Sequence, residues 1–222
     1  MPAKPHERQY RSLLSPLAPV STGAEKRFES DFYVEGYAST FNDPYMLYKS
    51  FTGTEVWEVI DPDAFADCDM SDVIFQFDHA GRVFARQSNG TLAVEPQLHG
   101  LFVAADLSST SSSRGIYEDI DTGLITRMSW GFMPDWDSIE DVYDEERDVL
   151  TSTIHRVERI YDVSCVSLPA DPNTEISSRA RIDGVIERVA AERPQRELDA
   201  RNAMELRRRR MELRAKAMQL RN

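Results

Sequence analysis

A chain of 222 residues with 41% hydrophobic side chains can form one domain of about 150 residues with extensions, which excludes a wholly disordered protein. Its formal charge of −12 is split into +5 from Ala180 to Asn222 and −17 before it, and so acidic a body repels nucleic acid. Two cysteines, Cys68 and Cys165, exclude a disulfide framework; no apolar run approaches the ~18 residues of a membrane span, and the N-terminus lacks a secretory core, so the cytosol is the expected compartment.

Residues 1–27 hold Pro2, Pro5, Pro16 and Pro19 with little periodicity and read as a mobile N-terminal arm. Order is expected to begin near Arg27. "RFESDFYVEGYAST" alternates Phe28, Ser30, Phe32 and Val34 with largely charged partners before Gly36, as a bending strand does. A turn at Asn42-Asp43-Pro44 and the short extended piece "EVWEVIDPDAF" follow. In "SDVIFQFDHA" the mostly apolar run from Val73 to Phe77 predicts a buried strand that delivers Asp78 and His79 at its end. Beyond the Gly81 turn, "RVFARQSNGTLAVEPQLHGLFVAADL" divides into strands at Asn89-Gly90 and His99-Gly100, and Asn-Gly between β-prone runs signals a hairpin.

"SSTSSSRGIYEDIDTGL" predicts a helix: its serines offer caps, Ile116 and Ile120 an apolar stripe, and Gly123 a stop. It leads into "GLITRMSWGF". Strand side chains alternate, so Met128, Trp130 and Phe132 face a core while Arg127, Ser129 and Gly131 face the other way. A hydroxyl beside a glycine leaves space for another backbone or a substrate to approach. "DVYDEERDVL" reads as an acidic loop or hairpin, "STIHRVERIYDVSCVSLPA" as one long strand or two, and "LPADPNT" closes the sheet-forming region. From about Glu175 the chain reads as helix broken at Pro194. The expected class is α+β, mostly β, with a β-barrel-like core, helices outside it and a C-terminal helical tail.

Of the four histidines, His6 lies in the arm, His99 in a turn and His155 in a late strand. His79 ends an apolar strand, and Ala80-Gly81 leaves room around its ring. No second His, Cys or Glu stands at a usual ligand spacing from it, so no metal is expected. A serine hydroxyl becomes a nucleophile when a neutral imidazole accepts its proton and a third group holds the other ring nitrogen. His79 and Ser129 are fifty residues apart, enough for hairpins and a helix to bring their strands together, and Asp162 and His155 are the candidates for the third group.

The ordered set "GYASTFND", "FDHAGRVFARQSNGTL", "HGLFVAADL", "ITRMSWGF" and "YDVSCVSLPADPNT" resembles the prohead maturation protease family of tailed bacteriophages, over roughly residues 28 to 180. The resemblance implies a serine endopeptidase with a fold similar to herpesvirus assemblin, with His79 at the place of the general base and Ser129 at that of the nucleophile. Asp162 fills the acidic slot before Val-Ser and is the favoured third member. Assemblin-like enzymes use a second histidine downstream of the serine, which keeps His155 as the alternative. Arg86, in a segment similar to the one after the family's histidine, is the first choice for oxyanion support. One departure is Trp130, where the family commonly has phenylalanine or an aliphatic residue; because it faces the core, the change bears on packing more than chemistry.

The enzyme so implied cleaves scaffold, or the scaffold-like extension of the capsid protein, inside the immature shell in the host cytoplasm, and also cleaves itself. Its partners are the phage major capsid protein and scaffold, with homo-oligomers a further expectation and no cofactor, nucleic acid or membrane required. Residues 28–180 are then the protease domain and 181–222 a helical tail for scaffold or capsid targeting, removable on activation. Two other readings predict different things. An inactive scaffold-like or capsid-binding module would hold His79 and Ser129 out of reach of each other, and a metal-dependent hydrolase would use Asp78 and His79.

Overall fold

The computed structural model describes residues 8–13, 18–19, 26–167, 184–191, 201–202 and 204–211. Contacts divide the chain into two units, Met1–Arg179 and Ala180–Asn222. In chain order the strands of the first are β1 (Gln9–Leu13), β2 (Ala18–Pro19), β3 (Tyr33–Thr40), β4 (Tyr45–Lys49), β5 (Glu55–Ile60), β6 (Ile74–Phe77) and β7 (Ala80–Arg86). They continue with β8 (Leu92–Gln97), β9 (Gly100–Asp106), β10 (Arg127–Pro134), β11 (Ile139–Asp144), β12 (Val149–Ile154) and β13 (Val157–Val166), and helix α1 (Ser111–Asp121) lies between β9 and β10.

The strands form three sheets, ordered β1-β10-β13-β6-β7, β11-β12-β5-β4 and β2-β3-β9-β8. The class is α+β and mostly β, as expected, and among the described residues the strands pair as three separate sheets, with no ladder joining one to another. The edges of the third sheet, β2 and β8, carry Pro19 and Pro96, which cannot donate to a further strand. The bend expected at Gly36 is a register shift between Tyr37 and Ser39 in the β3–β9 ladder.

The core assembles on the alternation of β10. Met128, Trp130 and Phe132 are fully buried, and the Trp130 indole stacks on Phe132 with ring centroids 3.8 Å apart. Helix α1 begins where its caps are: the Thr110 hydroxyl accepts from the Ser113 N–H at 3.0 Å, and the Ser113 hydroxyl donates to the Phe84 carbonyl at 2.9 Å, tying the helix to β7. Ile120 is buried, and Gly123, at φ +75°, follows the C-cap. Asn89-Gly90 does turn the chain, but it joins β7 to β8 across two sheets and closes no hairpin; β7 pairs with β6 and β8 with β9.

The largest departure lies near the N-terminus. Where the sequence reads as a mobile arm, residues 9–13 form β1, antiparallel to β10 from Gln9 opposite Phe132 to Leu13 opposite Met128. Its inward position is filled by a charge. The Arg11 and Glu58 side chains, each 5% exposed, pair through two hydrogen bonds of 2.6 and 2.8 Å. The Arg11 guanidinium also lies over the Phe132 ring. An inward arginine erases the apolar alternation by which a strand is recognised.

In the second unit, residues 184–191, 201–202 and 204–211 are helical, Arg209 and Glu205 pair one turn apart, and Met204, Leu206 and Met211 are exposed. The expected break at Pro194 lies outside the described residues. No helix among the described residues is long and apolar enough to cross a membrane.

Candidate active site

Phe77 and Ala80 pair across the β6–β7 hairpin, leaving Asp78-His79 as its two-residue loop. Both loop residues have positive φ, +48° and +56°, as a type I′ turn requires, and Asp and His are among the non-glycine residues that best tolerate it. Such a conformation costs about 1–3 kcal/mol per residue and persists where its surroundings hold it. Here the Asp78 N–H donates to the Cys165 carbonyl at 3.0 Å, and the Asp78 carboxylate accepts from the Ser167 N–H at 2.9 Å and its hydroxyl at 3.0 Å. The hairpin tip is thereby fastened to the end of β13, and His79 is aimed over the sheet.

Two neighbouring strands meet it. Register places Ser129 of β10 opposite Ser164 of β13, and Gly131 opposite Asp162, all on the face away from the core. His79 Nε2 lies 2.5 Å from Ser129 Oγ and Nδ1 lies 2.5 Å from Asp162 Oδ1. With the carboxylate accepting from Nδ1–H, the lone pair of Nε2 faces the serine hydroxyl, the tautomer that can take its proton. Asp162 Oδ1 also accepts from the Ser164 hydroxyl at 2.9 Å. Ser129 and Asp162 are fully buried, and the His79 side chain is 15% exposed.

The glycine after Trp130 now has a physical reason. A Cβ on Gly131 would stand 2.5 Å from Asp162 Oδ2 and 2.8 Å from the Arg8 guanidinium, closer than real Cβ contacts come. Gly131→Ala is therefore expected to push the Asp162 carboxylate away from His79 and to lower the rate of any reaction at Ser129 by about 10²-fold, since a misplacement near 1 Å is worth that much. Thermal melting checks that the fold survives, and an unchanged rate in the folded variant would show that the Asp162 position does not matter.

Arg8 ion-pairs with the second oxygen of Asp162 and lies over the rings of Tyr10 and Tyr161, while the Tyr10 ring centroid is 4.4 Å from that of His79. Burial, and after it the Arg8 charge, lowers the His79 pKa to about 4 against the opposing pull of Asp78. The ring is therefore neutral at neutral pH. An unfolded imidazole binds its proton near 6.5, so this histidine's contribution to stability is complete above about 6.5 and falls away as the pH drops toward about 4.

The other expected residues lie elsewhere. The His155 ring nitrogens lie 2.8 Å from Asp61 and 3.3 Å from Glu140 on the surface, where the carboxylates accept from ring N–H and raise its pKa, Asp61 foremost. Arg86 pairs with Asp72 at 3.1 Å, again at the surface. The residues that sequence reasoning missed are Ser164, Arg8 and Tyr10. Ser164 was findable, since two residues beyond Asp162 on a strand puts it on the same face; Arg8 and Tyr10 carried no such signal. Among the described residues no cluster of three His, Cys, Asp or Glu is arranged to hold a metal ion.

A profile of the caudovirus prohead serine proteases matches residues 21–187, the greater part of the chain, and spans His79, Ser129 and Asp162. Comparison with curated proteins and with solved structures found no match.

Proposed function

The chain belongs to the caudovirus prohead serine protease family, and from that membership we propose that it is the endopeptidase that cuts scaffold, or the scaffold-like extension of the capsid protein, inside the immature shell. The observation that carries the chemistry is the hydrogen-bonded series Asp162, His79, Ser129. Ser129 Oγ attacks the peptide carbonyl as its proton passes to His79 Nε2. Asp162 then faces the imidazolium, which returns the proton to the leaving amine, and water releases the acyl group by the same route. The 2.5 Å separation of His79 and Ser129 speaks against the inactive-module reading, which needs them apart.

In this reading residues 28–180 are the protease domain, and 181–222 serve assembly. This basic stretch, helical at residues 184–191, 201–202 and 204–211, suits a segment that enters the growing shell with acidic or helical partners, and the arginine-rich region between Arg179 and Arg210 is the candidate for self-cleavage. The test is co-expression of the chain with its capsid and scaffold proteins, followed by mass measurement of every product. The full chain is expected to shorten the capsid protein or scaffold and itself, whereas a chain ending at Arg181 cuts in solution but is poorly taken into procapsids. Unshortened capsid and scaffold beside a folded full chain would refute the function. Loss of cutting by the folded, shortened chain would refute the division of labour.

A further inference from the structure

Each member of the Asp162–His79–Ser129 series is met by one residue of the segment 8–12. Ser12 is the register partner of Ser129, the Tyr10 ring lies on His79, and Arg8 pairs with Asp162. With this segment in place Ser129 is 0% exposed, so no substrate carbonyl can come within the ~3 Å that attack requires. The shared family region begins at residue 21, downstream of β1, while all three members of the series lie within it. The series thus lies inside the matched family region and β1 outside it.

The strand also shows what kind of molecule this edge accepts. β1 is an edge strand, and if it left, the backbone groups of β10 would be open to another extended chain. Side chains of β1 and of Arg8 just before it alternate between the reactive face, with Arg8, Tyr10 and Ser12, and the interior, with Gln9 and Arg11. The interior anchor is the buried Arg11–Glu58 pair, which Tyr45 joins through a hydrogen bond to Glu58. Breaking such a pair from one side leaves a buried charge unmatched, so whatever replaces β1 is favoured if it brings its own cation.

Resting on the protease reading above, we propose that β1 is a built-in inhibitor seated in the place of the substrate strand. The peptide that displaces it pairs antiparallel with β10 and carries an arginine or lysine at the register position of Arg11, opposite Trp130.

The test uses the full chain and a fluorophosphonate that labels an accessible reactive serine. Arg11→Glu, which sets a carboxylate against Glu58, and Tyr10→Ala, which frees the His79 ring, are each expected to label at Ser129 at least about tenfold faster than wild type, as the open population grows. A synthetic peptide with the sequence of residues 8–13, RQYRSL, should slow the labelling of both variants, and the same peptide with alanine for Arg11 should compete about tenfold more weakly. Folded variants that label no faster than wild type overturn the inhibitory strand. So does the unfolding of both variants, which would make β1 a structural strand. Equal competition by the two peptides overturns the basic-residue preference. A rapidly labelled wild type removes this inference and leaves the protease reading standing, whereas normal capsid processing by Ser129→Ala removes the protease reading itself.

Discussion

Ser129→Ala is expected to leave a folded protein that no longer cuts capsid or scaffold. The substitution deletes one oxygen from a fully buried position whose hydrogen-bond partner is His79 Nε2. The folding cost is that of one orphaned buried nitrogen, about 1–3 kcal/mol, so a lowered melting temperature with an unchanged circular dichroism spectrum is the expected physical result. The chemical loss is far larger. Without the nucleophile there is no acyl intermediate, and what survives is the contribution of binding and oxyanion contacts, about 10³ to 10⁴ over water. Products at wild-type levels from the folded variant, weighed by mass spectrometry, would eliminate Ser129 as the nucleophile.

Asp162→Asn is the second large effect, with a loss in kcat of roughly 10³ to 10⁴. The amide can donate to His79 Nδ1, which places the ring proton on Nε2, where it meets the serine hydroxyl as a donor and cannot accept. The variant also carries a distinguishing pH signature. A carboxylate 2.5 Å from the ring favours the imidazolium, so its removal should move the acid limb of the kcat/KM profile to lower pH. His155→Gln should leave both rate and profile in place, since its partners are Asp61 and Glu140 at the surface. If the two substitutions behaved alike, Asp162 would lose its place as the orienting group.

The residues that the structure brings together, His79, Ser129 and Asp162, were legible by different routes. Alternation in "RMSWGF" put Ser129 opposite the core face and the apolar run before Asp78 located His79, whereas Asp162 was favoured over His155 only through the family resemblance of "YDVSCV". Arg86 and His155 were drawn in by position in the chain, and their side chains answer instead to nearby Asp72, Asp61 and Glu140. β1 was illegible for a different reason. Its inward arginine is stable only against Glu58, a partner on another sheet that local sequence does not reveal. The division into three sheets was illegible for the same reason, because which edges pair depends on strands distant in sequence meeting in space.

The sheet order also sets a timetable. During synthesis β1 leaves the ribosome first, yet its partner β10 arrives about 120 residues later and β13 later still. Pairings between segments so distant in sequence form slowly, because the loop between them must close before any contact repays it. A nascent chain that already displays His79 and Ser129 still lacks Asp162, and it lacks the strand that flanks Ser129 on the other side. The Asp162–His79–Ser129 series therefore cannot form before β13 has been made and paired. It awaits β13, so completion of the series is set by the pairing of strands distant in sequence and not by the emergence of any one of them.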